Sequence, residues 1–389
     1  MIATIPLALY VHLPWCVRKC PYCDFNSYEA PGVLPTEAYV DALLRDLDAD
    51  LLHAQGRALE SIFIGGGTPS LFPAQAIQRL LDGVRARLAL ARDVEITLEA
   101  NPGAVDEAHF HGYRAAGVNR LSIGVQSLRA AQLRALGRIH GPDDVLHAIE
   151  TARAAGFDNL NLDLMHGLPG DGPGDSVREL DALLRLAPTH VSWYQLTLEE
   201  GTAFAHQPPT LPDDDQIVAD FEQGLARLAA AGFSRYEVSA YAMPGRASRH
   251  NLNYWTFGDY LGIGAGAHGK WTASDGVYRS ARRRHPNAYL QQAGTPTAGT
   301  VERVPEDALT GEFMLNALRL RDGFGLELFE TRTGLPREGL AVPLAQAVAK
   351  GWLVERVGHV TPTEAGYRFL NDLQILFLDV APHAARAVT

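Results

Sequence analysis

The chain has 389 residues, of which 47% are hydrophobic, so it can bury one large core and a smaller second one. Its 45 acidic against 34 basic residues leave a net charge of −11, which argues against nonspecific nucleic-acid binding, since that needs clustered positive charge. There is no apolar run of membrane-spanning length, and Met1-Ile2-Ala3-Thr4-Ile5-Pro6 lacks the charged and apolar regions of a signal peptide, so a cytoplasmic location is expected.

In chain order, strands are predicted at Leu7–Leu13, Ser61–Ile64, Val94–Leu98, Arg120–Val125, Asn159–Leu164 and His190–Leu196. Amphipathic helices are predicted between them at Glu37–Leu52, Pro73–Leu90, Asp106–Ala116, Pro142–Ala155 and Asp175–Leu186. The strand-to-strand interval is about thirty residues, the length of a βαβ unit. The strands read as nearly continuous apolar runs, as parallel strands covered on both faces do. Six units fall short of the eight that close a full barrel. The expected fold is therefore α/β, a partial (β/α)₆ barrel with its site at the carboxyl ends of the strands. Asp213–Ala231 reads as a further helix and Tyr236–Tyr241 as a strand. Residues 242–300 show little periodicity. Helices at Glu306–Leu320, Pro343–Lys350 and Pro362–Leu378 around a hairpin at Gly351–Thr361 suggest a winged-helix-like module. The expected division is a barrel at 1–235, an extension at 236–300 and a C-terminal α+β domain at 301–389.

All three cysteines, Cys16, Cys20 and Cys23, lie within eight residues directly after the first strand, spaced CxxxCxxC. Three thiolates on one loop can hold three corners of a [4Fe–4S] cluster, leaving the fourth iron open to a small molecule. Cys20-Pro21-Tyr22-Cys23 alone also spells a redox dithiol. Three cysteines plus His12 could instead form a closed zinc site. Neither alternative gives the rest of so long a chain a task. Gly65-Gly66-Gly67-Thr68-Pro69 ends the second strand and lets backbone approach a ligand closely. Gly264-Ala265-Gly266-Ala267-His268-Gly269 matches GxGxxG, but no helix opens after it, so it reads as a tight loop at the cavity mouth rather than a dinucleotide site. Glu99, Gln126, Arg138 and Asp163 lie at or near strand carboxyl ends. Each alone could be a cap or a structural ion pair. Together they offer acceptors for ribose hydroxyls and a guanidinium for a carboxylate. His250-Asn251-Leu252-Asn253-Tyr254-Trp255 joins an imidazole to two aromatic rings, a set that suits heme iron and a porphyrin face and suits a packed core equally well.

The cysteine spacing with Tyr22, the GGGTP turn, Gly124-Val125-Gln126-Ser127, Gly137-Arg138-Ile139-His140 and HNLNYW together resemble the HemW family of radical S-adenosylmethionine (SAM) heme chaperones, from about Leu7 onward. The resemblance implies a [4Fe–4S] cluster on Cys16, Cys20 and Cys23. It implies SAM surrounded by Tyr10, Tyr22, Gly66, Gly67, Thr68, Glu99, Gln126, Arg138 and Asp163. It implies heme at His250, with Tyr254 and Trp255 beside it. The expected partners are heme and apo-hemoprotein acceptors, membrane-bound respiratory enzymes among them, with no nucleic acid and with a homodimer left open. Arg282, Arg283 and Arg284 could meet heme propionates, although an exposed basic run explains them as well. The related coproporphyrinogen III oxidases carry a fourth cysteine where this chain has Phe25, and a long extension before the cysteines where this chain has fifteen residues. Oxidase activity, or other radical chemistry on a tetrapyrrole, remains the alternative.

Overall fold

The computed structural model describes residues 5–105 and 107–378. Met1–Thr4, read above for targeting, and Asp106, the first residue of one predicted helix, lie outside the described residues.

Six parallel strands form the barrel: β1 (Leu7–Leu13), β2 (Leu59–Gly66), β3 (Leu90–Ala100), β4 (Arg120–Gln126), β5 (Leu160–His166) and β6 (His190–Gln195). Helices α1 (Thr36–Ala54), α2 (Ala74–Arg85), α3 (Glu107–Ala116), α4 (Pro142–Ala154) and α5 (Asp175–Leu184) connect them and cover the outer face. Parallel pairing runs from β1 to β6 in sequence order, with Tyr10 opposite Phe63 and Asp163 opposite Ser192. The helix predicted to reach Leu90 stops at Arg85, because Leu90 already pairs with Leu59 and starts β3 early. The outward residues of the strands, such as Leu9, Ile62, Leu98, Ile123, Leu162 and Val191, are fully buried under the helices in one continuous core. Helix α6 (Asp214–Ala230) follows β6 and starts on Asp213, whose carboxylate accepts the Gln216 N–H at 2.8 Å.

Two differences from the sequence reading matter. The predicted strand Tyr236–Tyr241 is split into β7 (Ser234–Arg235) and β8 (Ala240–Ala242). Arg235 Nε donates to the Glu237 and Val238 carbonyls at 3.1 Å each, folding that stretch into a turn. The stretch after residue 242 is not irregular. It holds helix α7 (Arg249–Trp255) and strands β9 (Asp259–Gly264), β10 (His268–Ala273), β11 (Gly276–Arg282) and β12 (Gly299–Arg303). Among the described residues the large sheet runs β12-β11-β10-β9-β1-β2-β3-β4-β5-β6-β8-β7. Its order is linear, so the barrel stays open. Strand β9 pairs parallel to β1 and is tied down by Asp259, which accepts from Arg57 at 2.7 Å and Lys270 at 2.9 Å in a buried trio.

The C-terminal unit has a second core around Phe313, Phe324, Phe329 and Phe377. Helix α8 (Glu306–Ala317) leads into β13 (Phe324–Gly325), α9 (Leu326–Thr333) and α10 (Ala341–Ala349), then the hairpin β14 (Leu353–Arg356) and β15 (His359–Pro362). The sheet order β13-β15-β14 with flanking helices is the expected winged-helix-like arrangement.

Candidate functional site

A cavity of about 920 Å³ runs along the inside of the open barrel, at the upper end of the roughly 300–1,000 Å³ range of small-molecule sites. Its walls follow from strand alternation. Side chains two apart share a face, so β4 turns Arg120, Ser122, Gly124 and Gln126 inward while Leu121, Ile123 and Val125 pack outward. Strand β5 turns in Asn161, Asp163 and Met165, and β6 turns in His190, Ser192 and Tyr194. The strands are thus apolar on the helix side only. The near-continuous apolar reading missed this polar inner face, and with it Arg120, Asn161, His190 and Tyr194.

The three cysteines line the cavity at the carboxyl ends of the strands, each half-buried and none in a disulfide. Burial pushes the Cys16 and Cys23 thiols up. Among the described residues no three His, Cys, Asp or Glu side chains are already gathered as a metal-ligating set. By donor chemistry the three free thiols on one short loop fit three corners of an iron–sulfur cluster. The Cys₃His zinc alternative fits poorly. His12 Nε2 lies 2.8 Å from the Asn26 carbonyl and Nδ1 lies 2.9 Å from the Tyr10 hydroxyl, so both nitrogens are taken.

Gly66, at φ +117°, and Gly67 close β2 beneath this loop. A Cβ on Gly66 would stand 2.8 Å from the His12 ring, and one on Gly67 2.6 Å from the Trp15 carbonyl oxygen. Gly66 N–H donates to Glu99 at 3.1 Å. Glu99 is pushed up to about 8, first by burial and then by Asp163. Asp163 is raised by burial, opposed by hydrogen bonding to Asn161. Gln126 ends β4 with φ +66°, a left-handed conformation unusual for a non-glycine. There its side-chain oxygen accepts the Tyr194 hydroxyl at 2.6 Å. Arg138 donates to the Gly124 carbonyl at 2.9 Å and approaches Cys20 Sγ at 3.8 Å. Burial alone would lower its pKa, but Tyr22 and Cys20 outweigh that and hold the guanidinium charged. Cys16, Cys20, Tyr22, Cys23, Gly66, Gly67, Thr68, Glu99, Gln126, Arg138 and Asp163 all line the one cavity. Tyr10 does not. Its hydroxyl is spent on His12.

The HNLNYW segment is helix α7, and it plugs the opposite, amino-terminal end of the barrel. Glu95 accepts the backbone N–H groups of Arg249 and His250 at 3.2 Å each, and the Ser248 hydroxyl at 3.4 Å. His250 is 1% exposed. Its Nδ1 lies 3.0 Å from the Ser61 hydroxyl and its Nε2 2.9 Å from the Tyr254 hydroxyl, and its ring stacks on Phe63. Burial, and then Arg120, push its pKa down to about 3. The expected heme contact is thus a neutral imidazole with no free nitrogen, turned away from the cavity, and Tyr254 is turned away with it. Trp255 and Asn251 do line the cavity. Arg319 from the C-terminal unit lies over the Trp255 ring at 4.3 Å.

Two further expectations are corrected. The glycine loop between β9 and β10 does not line the cavity. It braces the cysteine loop, with Asn26 donating to the Ala265 carbonyl at 2.9 Å. Arg282 is not part of an exposed run. It is buried between Asp46 and Asp50.

Comparison with known proteins agrees with this fold. Residues 10–183 match the Radical SAM superfamily, and residues 304–369 match the HemN C-terminal domain. The chain is 50% identical to the heme chaperone HemW of Escherichia coli (strain K12) over 379 residues, covering 97% of this chain and 100% of that one. It is 44% identical to the heme chaperone HemW of Haemophilus influenzae, covering 96% and 98%. Among solved structures it is similar in fold to coproporphyrinogen III oxidase (HemN) from Escherichia coli, with a TM-score of 0.80 and 22% identity over 96% of this chain and 90% of that one.

Proposed function

The chain belongs to the heme chaperone HemW family, and from that premise we propose that it binds heme and hands it to apo-hemoproteins, those of respiration among them. The observation that carries this reading is one cavity bounded at one end by the cysteine loop and at the other by α7 and Arg319. Cys16, Cys20 and Cys23 would hold a [4Fe–4S] cluster, and its open iron would hold SAM. That pair supplies, when bound, a route to reductive cleavage of SAM. The protein's own part is positional. Gly66, Gly67 and Thr68 bring backbone close, Glu99 and Asp163 offer oxygens to hydroxyls, and Arg138 offers a cation to a carboxylate. Heme would meet α7 through Trp255 and Asn251, while His250 and Tyr254 hold the helix in place. Ligation of iron by His250 itself would require its bonds to Ser61 and Tyr254 to open.

The test is anaerobic. Reconstituted protein is incubated with SAM, a reductant, and either heme plus an apo-hemoprotein or coproporphyrinogen III. Heme should pass to the acceptor, and coproporphyrinogen should be recovered unchanged. Cys23→Ser should lose the visible cluster absorption. Decarboxylated product at multiple turnovers, without heme transfer, would replace this reading with the oxidase one.

A further inference from the structure

Arg120 begins β4, deep in the barrel, and is 2% exposed. It nevertheless lines the cavity. Among the described residues its guanidinium makes no hydrogen bond or ion pair, and its buried Nε has no partner. A desolvated, unpaired guanidinium is costly and rarely left without an anion. Glu99 and Asp163 are the cavity carboxyls whose charge reaches Arg120, but neither bonds to it: Glu99 accepts from Gly66, and Asp163 from Asn161 and Ser122. Asn161 is committed to Ser122, Asp163, Ser192 and His190, and Glu95 to the start of α7. Arg319 enters the same cavity with its own buried Nε unpartnered, while its Nη2 reaches Glu237 at 3.3 Å. Trp255 offers a ring under Arg319. The deep end of the cavity therefore presents two cations with spare donors and an aromatic surface.

We infer that Arg120 anchors a carboxylate of the ligand bound in the cavity, with Arg319 as the second cation of that subsite. The inference rests on the heme reading above, which makes the carboxylate a propionate. The other carboxylate available to this cavity is that of SAM.

Three ligands separate these sources: heme, heme dimethyl ester and SAM, each titrated into wild type, Arg120→Gln and Arg319→Gln. Wild type should bind heme about ten- to a hundredfold tighter than the ester, the loss expected for one charge-assisted bond. Arg120→Gln should erase most of that preference, leaving ester affinity, SAM affinity and cluster absorption unchanged. Equal binding of heme and ester by wild type overturns the inference and leaves the heme reading standing. Loss of SAM affinity in Arg120→Gln with the heme preference intact also overturns it, by giving the carboxylate to SAM. Absence of heme binding by wild type overturns both. Should Arg120→Gln fail to fold, the wild-type comparison and the more exposed Arg319→Gln still decide. A preference that persists in full in Arg319→Gln removes that residue from the subsite.

Discussion

Replacing His250 by alanine tests whether this residue is a free ligand or a structural pin. The structure gives the ring two buried partners, Ser61 at 3.0 Å and Tyr254 at 2.9 Å, and a stacked neighbour, Phe63, at 5.1 Å between centroids. Truncation strands two buried hydroxyls at about 1–3 kcal/mol each and leaves a ring-sized void. A loss of about 2–5 kcal/mol is expected in the heme-free protein, a large share of the roughly 5–15 kcal/mol typical of a domain. Urea unfolding should show a lower midpoint at an unchanged slope. The pH dependence adds a signature. The folded pKa of about 3 lies below the ordinary value of 6.5. As pH falls below 6.5 the unfolded chain binds the proton first. The stability contributed by neutral His250 is therefore full above about 6.5 and declines by up to about 1.4 kcal/mol per pH unit toward 3. The gap between wild type and variant should narrow from pH 7 to pH 4. Wild-type stability in heme-free His250→Ala, with only the heme spectrum altered, would refute the pin.

Arg138→Ala should weaken SAM binding by about ten- to a hundredfold, as expected for one charge-assisted bond, with the cluster spectrum retained; unchanged SAM affinity in a calorimetric titration would remove Arg138 from that site. Glu99→Gln should stabilise the SAM-free protein at alkaline pH. The folded pKa of about 8 exceeds the ordinary 4.5, so this residue's contribution is full below 4.5 and is lost as pH rises through 8. Thermal melts of the variant and wild type should diverge as pH rises from about 4.5 to 8 and run parallel above that, and parallel profiles across the whole range would contradict the buried, protonated carboxyl.

The barrel was legible because each unit repeats the same physics at one interval. Leu7–Leu13 matches its prediction to the residue, and the other five strands differ only at their ends. The segment after residue 242 was opaque for a local reason. Strand β9 pairs with β1, more than two hundred residues earlier, and its stability comes from that long-range ladder and the Asp259–Arg57–Lys270 trio rather than from its own pattern. Its glycines, which read as loop, permit close approach. A Cβ on Gly264 would stand 2.3 Å from the His12 carbonyl oxygen.

The site divides along the same line. The cysteines, the glycine turn and Arg138 could be found because they cluster in short motifs. Arg120, Asn161, His190 and Tyr194 could not, because they lie on three different strands and meet only across the barrel. Their signal was nonetheless present, as period-two polarity: Arg120, Ser122, Gly124, Gln126 in one strand, Asn161 and Asp163 in the next, His190, Ser192 and Tyr194 in the third. A buried strand facing helices on one side and a wet cavity on the other must alternate in this way. Apolar content alone hides that alternation. His250 shows the converse case. Its motif drew attention as a ligand, yet an imidazole beside two aromatics is equally the composition of a packed plug. In this structure Ser61, far away in sequence, and Tyr254 take both ring nitrogens, and Glu95 takes the backbone N–H at the start of the helix, so the ring packs as part of the plug.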